Sequence, residues 1–382
     1  MIHDAGPLPT EIVLVGAGHS HLEVLRRFGQ RPLPGVRLTL INREPYAAYS
    51  GMLPGVVAGH YAPEAARVDL QPLARYAGAQ LRLDQMTGLD GEARQVMCAD
   101  IGPIPFDLLS INTGSGPALA DVAGAAAHTT TVKPIAQFLD FLEQLDSRIA
   151  GAGKAFRVAV VGGGAAGVEI AMAMQFRLRP AQAALTRVEF AIVTEGAEIL
   201  PGHNARMRAR VMRILHARGV QLYLRHRVVA VDAAGLDCDG SRRVSADAVV
   251  WLTQAAPPPW AAGTGLALDE RGFIQVNDFL QSSSHPQVFA AGDVAGMAGR
   301  PRPKSGVFAV RQGPPLWRNL CLAAAGRPLR PFVPQRNALA LVSGGDRYAV
   351  GSRSGWTVEG AWVWRVKDWI DRRFMAKYRD LG

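Results

Sequence analysis

A chain of 382 residues, 48% apolar and 19% charged, has material for two or three domains with sizeable cores, which excludes a disordered or fibrous protein. Its three cysteines, Cys98, Cys238 and Cys321, lie far apart, which excludes a disulfide framework and a C-x-x-C redox or zinc site. The net charge of +10 suits an anionic cofactor, a nucleic acid or an acidic membrane surface without choosing among them.

Met1 to Thr10 lack the basic and apolar regions of a signal peptide, and no apolar run reaches the roughly 18 residues of a spanning helix. With so few cysteines, a reducing, cytoplasmic setting is expected, and no metal. Glu11 to Val15 is the first buried strand. Gly16, Gly18 and His21 follow at G-x-G-x-x-H spacing, with a helix expected over 22–29. A second strand, Val36 to Ile41, closes a β-α-β unit. An acid usually follows that strand and bonds a ribose hydroxyl; Asn42-Arg43-Glu44 stands there instead. Tyr46 to Tyr61 is broken by Gly and Pro and reads as a loop. Phe106 to Asn112 is an apolar strand ending in Thr113-Gly114.

Val132-Lys133-Pro134 reads as a crossover, and Ile135 to Ile149 as an amphipathic helix. Val158 to Val161 is a buried strand, and Gly162, Gly164 and Gly167 stand after it at G-x-G-x-x-G spacing before a helical pattern. The first glycine makes the turn, the second admits a pyrophosphate to the backbone, and the third lets helix and strand pack closely. Two such loops imply two dinucleotides. The next strand, Val188 to Val193, ends in Thr194-Glu195; a carboxylate there favours a free ribose 2′-hydroxyl over a 2′-phosphate, hence NADH. Met207 to Arg218 is a basic helix, and Ala248 to Thr253 a closing strand. Val288 to Val294 reads as a strand carrying Gly292-Asp293, an acid placed to bond a ribityl or ribose hydroxyl, although a Gly-Asp turn is the commoner use. A helix then opens near Gly306 with Ser305 as N-cap.

The order G-x-G-x-x-(G/H), Thr-Gly, G-x-G-x-x-G, Ala-Gly-Asp resembles the two-dinucleotide-binding-domain flavoproteins of the pyridine nucleotide-disulfide oxidoreductase superfamily, over about Glu11 to Leu322. Gly-His-Ser-His-Leu-Glu-Val, Tyr-Ser-Gly-Met-Leu-Pro-Gly and Trp-Val-Trp-Arg-Val-Lys-Asp-Trp narrow the resemblance to type II NADH dehydrogenases and to the flavoprotein found fused to some selenide, water dikinases. The fold implied is α/β: two Rossmann-like domains, the second inserted in the first, with a C-terminal α+β region. The limits expected are 1–133 with 264–330 for FAD, 134–263 for NAD(P)H, and 331–382 for the C-terminal region. The resemblance implies FAD at Gly16, Gly18, Thr113, Gly114, Gly292 and Asp293, beside His21, Asn42, Arg43, Gly306 and Val307. It implies NAD(P)H at Gly162, Gly164, Gly167 and Glu195, and places Glu169 near nicotinamide and flavin.

The implied function is an FAD-dependent NAD(P)H oxidoreductase that moves hydride from NADH to flavin N5 and on to a small-molecule acceptor such as a quinone. The helix at Gly306 would set positive dipole at flavin N1 and O2, with Lys304 either adding a charge there or remaining a solvated loop lysine. Val307 stands where type II dehydrogenases carry glutamine, which weakens the quinone reading. A flavin-binding redox sensor and a selenium- or sulfur-linked flavoprotein stay open. Nucleic-acid binding rests on charge alone and is not expected. Trp362, Val366, Trp369, Ile370, Phe374 and Tyr378 fall on one helical stripe among cations. That stripe serves either a core or peripheral contact with an anionic membrane; Asp368 and Asp371 dilute its charge.

Overall fold

The computed structural model describes residues 9–119, 121–178, 187–335 and 337–381. Strand β1 (Thr10–Val15), helix α1 (His19–Gln30) and β2 (Val36–Asn42) form the first β-α-β unit. β3 (Ala79–Leu83) and β4 (Leu108–Ile111) extend it, so that β4, β1, β2 and β3 lie side by side in parallel. Ile12 to Val15 have lost nearly all solvent contact. Both faces of a parallel sheet are covered by helices, which is why its strands read as unbroken apolar runs.

The chain then builds a second parallel sheet. Helix α2 (Ile135–Ala150) leads to β5 (Phe156–Val161), α3 (Ala165–Arg177), β6 (Val188–Thr194), α4 (Ala205–Ala217), β7 (Gln221–Leu224) and β8 (Ala248–Trp251). The order is Thr130–Thr131, β8, β5, β6, β7. Only then does β9 (Val288–Ala290) return to pair in parallel with β4 and complete the first sheet. Helix α5 (Gly306–Ala324) packs along α1. An antiparallel sheet of β10 (Ala340–Ser343), β11 (Ala349–Arg353) and β12 (Trp356–Gly360) precedes helix α6 (Ala361–Arg379).

The element limits shift where distant partners act. α1 begins at His19, three residues earlier than expected, because Asn112 Oδ1 accepts the amides of Ser20 (3.1 Å) and His21 (3.2 Å). The N-cap, Gly18, has no side chain to do this, so the end of β4 supplies the cap. α4 starts at Ala205 because Asn204 caps it through the Met207 amide, 2.8 Å away. β9 stops at Ala290, since Gly292 turns the chain at φ +73° and its amide donates to Gln312 Oε1 at 2.6 Å. Ser305 stands at the N-cap of α5 without a side-chain hydrogen bond.

Two expectations about surface segments are corrected. The Tyr46–Tyr61 loop contains a short helix, Leu53–Val57, whose five residues are all buried. The aromatic stripe of α6 divides: Phe374 and Tyr378 are buried with Val363 and Met375, whereas Trp362, Val366 and Trp369 are exposed. Asp371 is buried and does not dilute a surface charge.

Asn112 Nδ2 also donates to the Ala291 carbonyl at 2.6 Å, so one side chain ties β4 to α1 and to the end of β9. Asn112→Ala leaves three buried backbone groups without their partner, at a cost of about 2 kcal/mol in urea unfolding. A loss below about 0.5 kcal/mol would show that the strut contributes little.

Candidate active site

The two glycine loops meet different neighbours. A Cβ on Gly164 would find nothing within 4 Å, which leaves the backbone open to a ligand; one on Gly167 would stand 2.0 Å from the Gly162 carbonyl, so only glycine lets α3 pack on the loop. In the first loop a Cβ on Gly18 would stand 2.4 Å from Asn112 Oδ1. Glycine is required there by the strut.

His21, in place of a third glycine, is fully buried beneath that loop. Its Nδ1 lies 2.6 Å from the Gly16 carbonyl and its Nε2 2.8 Å from Ser110 Oγ. A carbonyl only accepts, so Nδ1 carries the proton and Ser110 donates to Nε2. Burial pulls the ring down to about 4, so it stays neutral. Asn42 is likewise spent on the loop: Oδ1 accepts the Ala17 amide (2.8 Å) and Nδ2 donates to the Glu44 carbonyl (2.6 Å). Arg43 is exposed and pairs with Glu44 at 3.3 Å.

At the same end of this sheet, beside Gly16, Thr113 is exposed and a Cβ on Gly114 would meet open space. Asp293 is half-buried with no hydrogen-bond partner among the described residues. Gly306 and the exposed Val307 head α5, and a Cβ on Gly306 would lie 3.6 Å from His19 Nε2 and 3.8 Å from Ser50 Oγ. That imidazole nitrogen is buried and has no hydrogen-bond partner among the described residues. Burial, helped by the Lys133 charge, lowers His19 to about 4. A neutral ring with a spare polar atom beside the free amides of a helix start suits an electron-rich ligand. The open backbone at Gly114 and Gly164 and the unengaged Asp293 carboxylate fit a dinucleotide equally well. Lys304 is turned elsewhere: Nζ donates to the Ala295 carbonyl at 2.6 Å, lies 3.8 Å from the Phe273 ring centre, and is brought down by burial to about 8.

Glu195 is exposed just past β6, with no hydrogen bond or ion pair among the described residues. Of the nearby arginines, Arg208 is engaged by Glu198 at 3.1 Å and Arg210 lies 3.9 Å from Glu359, while Arg206 is exposed.

Glu169, on α3, draws the C-terminal region inward. Its Oε1 accepts the Ser343 amide at 2.7 Å, and Lys367 and Asp371 of α6 act on its charge. Desolvation pushes it up to about 7, against the pull of Lys367. Lys367 Nζ donates to Asp371 Oδ2 and to the Gly51 carbonyl, each at 2.7 Å, and Tyr49 OH donates to Asp371 Oδ1 at 3.0 Å. The Tyr49 and Phe374 rings stack at 4.3 Å, with His19 against both. Sequence reasoning gave no role at the site to Asn112, Ser343, Lys367 or Asp371, and weighed Gln312 only against the position of Val307. The one local signal was Lys367 and Asp371 at i and i+4.

Glu169 gives a pH prediction. Its ordinary value is 4.5. Between about 4.5 and 7 the folded chain holds a proton that the unfolded chain has lost, so stability falls as pH rises through that window. Glu169→Gln removes this slope: it unfolds like the parent at pH 5 and is more stable at pH 8, by at most about 3 kcal/mol. Parallel thermal denaturation curves at both pH values would refute the raised carboxyl.

The family model described as "Pyridine nucleotide-disulphide oxidoreductase" matches residues 10–313. The NADH dehydrogenase-like protein YutJ of Bacillus subtilis is 27% identical over 300 residues, 76% of this chain and 78% of that protein. The demethylphylloquinone reductase NdbB of Synechocystis is 24% identical over 90% of this chain and 86% of its own. Among solved structures, the sulfide:quinone oxidoreductase of Aquifex aeolicus superposes with a TM-score of 0.83 at 18% identity, over 98% of this chain and 92% of that one. NDH2 of Plasmodium falciparum in complex with NADH gives 0.79 at 15% identity, over 97% and 98%. Sequence and fold agree, and the chain belongs to the pyridine nucleotide-disulphide oxidoreductase family.

Proposed function

We propose that this FAD-dependent NAD(P)H oxidoreductase is reduced by NADH and reoxidised by a quinone. The observation that carries the reading is the position of Glu169, on the helix of the second glycine loop and within the electrostatic reach of Lys367 and Asp371. Bound FAD supplies the carrier that takes hydride from NADH and releases electrons to an acceptor. The chain's own residues hold it in register. The positive end of the α1 dipole at the first loop would face a pyrophosphate, Asp293 would take a ribityl hydroxyl, and the α5 start with His19 would favour electron density on the bound ring. Gly162, Gly164 and Gly167 seat NADH, with Glu195 on its ribose. Glu169, its carboxyl pushed up to about 7, could hold or yield a proton at the site where bound FAD and NADH would react. Tyr49 and Phe374 keep water from it. Lys304, engaged at Ala295 and Phe273, shapes the Asp293 loop.

Quinone is supported by the printed names of the NdbB and Aquifex relatives, each of which names a quinone. Val307 in place of a glutamine counts against it. A sulfur- or selenium-linked reaction finds less support, since burial pushes the Cys98 and Cys321 thiols up to about 11 and holds them protonated. We assign FAD to 1–133 with 264–330, NADH to 134–263, and closure of the site to 331–382. No helix among the described residues is long and apolar enough to cross a membrane. Trp356, 81% exposed, with Trp362, Trp369, Arg365 and Arg373, suits peripheral contact with an anionic bilayer.

Purified protein is expected to be yellow, and Gly164→Val to retain FAD while losing reduction by NADH, because its Cβ would meet open space and the side chain would fill the ligand's approach. Protein that takes up no FAD on reconstitution would end this reading. NADH is expected to exceed NADPH in kcat/KM at least tenfold, with Glu195→Ser narrowing the gap; equal values in the parent would remove Glu195 from the ribose.

A further inference from the structure

We propose that a groove between α1, α5, the 331–335 segment and the end of α6 is a binding site for a phosphate ester. Its volume is about 670 Å³, and none of its lining residues belongs to either glycine loop or to the Glu169 cluster. Four cations, Arg26, Arg27, Arg311 and Lys377, face one acid, Glu23. That acid is already committed. Arg26 reaches it at 2.9 Å and Arg27 at 2.6 Å. Burial works to raise its carboxyl, but hydrogen bonds from Arg26 and Arg27 outweigh burial and hold it below the usual range. Arg311 and Lys377 therefore have no carboxylate of their own among the described residues.

The groove continues into a second cavity of about 310 Å³ that shares Arg27, Pro314, Phe332 and Val333 with it and is floored by Trp317 and Arg318. Trp317 Nε1 and Arg318 Nε are both buried and have no hydrogen-bond partner among the described residues. Buried donors of this kind are ordinarily satisfied, so the wall behind the cavity holds donor capacity that the described residues leave unused. The wall also offers acceptors. Pro314 and Pro315 lie inside α5 and have no N–H, so the carbonyls of Val310 and Arg311 lose the donors four residues on. Surplus guanidinium and ammonium groups match phosphate oxygens, and carbonyls that lack their i+4 donor can accept from hydroxyls. The ligand is thus a small phosphate ester bearing hydroxyls, either free or as the headgroup of a phospholipid.

The test uses FAD-loaded protein and glycerol 3-phosphate as probe, followed by calorimetry in low salt, with phosphatidylglycerol vesicles in a second arm. The parent and Gly164→Val are expected to bind the probe alike, which separates the groove from the second glycine loop. The double variant Arg311→Gln with Lys377→Gln keeps the side-chain stems and is expected to lose at least tenfold in affinity, with FAD content and NADH turnover unchanged. Vesicle pelleting that the double variant abolishes, without binding of the free probe, assigns the same site to a lipid headgroup. Binding that disappears in Gly164→Val, binding unchanged in the double variant in both arms, or no binding in either arm overturns the proposal.

Discussion

The buried amide of Asn112 sets the geometry on which the first half of the molecule depends. A parallel sheet needs each helix to start at a fixed height above its strand, and a glycine loop gives that helix no side chain with which to begin. Asn112 solves both problems from the neighbouring strand: its oxygen receives the first amides of α1, and its nitrogen holds the carbonyl beyond β9. The same side chain forces Gly18 to remain a glycine. The first glycine loop is therefore shaped from behind by protein, with His21 and Asn42 fixing its backbone at Gly16 and Ala17. Such a loop is organised before any ligand arrives, which reduces what binding must order.

The C-terminal region brings chemistry to a site that the two sheets only frame. β10 touches Glu169 through the Ser343 amide, α6 reaches the Tyr46–Tyr61 segment through Lys367, Asp371 and Asp368, and Arg379 donates to the carbonyls of Glu64 and Ala65 just beyond it. The ion pair of Lys367 and Asp371 is nearly dry, so removing one partner leaves the other uncompensated, and such pairs fix position more than they add stability. Glu169 sits in the field of both charges. A carboxyl in that position responds to small displacements of α6, which couples the protonation of the site to how well the C-terminal helix is seated.

What was legible in the sequence follows from how local each constraint is. Gly162 and Gly167 touch each other across one turn, and strands such as Val158 to Val161 are buried on both faces, so spacing and composition alone disclosed both β-α-β units. Asn112 acts on Ser20 from 92 residues away, and Ser343 on Glu169 from 174, and no periodicity records such distances. Lys304 stands beside the α5 start in sequence, yet its ammonium is drawn to the Ala295 carbonyl and the Phe273 face. The α6 stripe was legible as a stripe, but the division between buried Phe374 and exposed Trp369 depends on where the helix meets Tyr49. Arg26, Arg27, Arg311 and Lys377 are scattered over the whole chain, and only the packing of α1, α5 and α6 gathers them.

The late return of β9 has a consequence in time. β4 is buried along its whole length in the finished sheet, with β1 on one side and β9 on the other. During synthesis the ribosome delivers β4, then the whole of the second sheet, and only afterwards the strand that covers it. For that interval the first sheet is four strands wide, with an apolar edge whose amides and carbonyls are unpaired, the surface on which chains join one another. The second sheet must fold as an insertion that returns its two ends to within a strand's spacing, so its own folding rate governs how long the edge stays bare. Substitutions that slow the second sheet then lower the yield of the first without touching it.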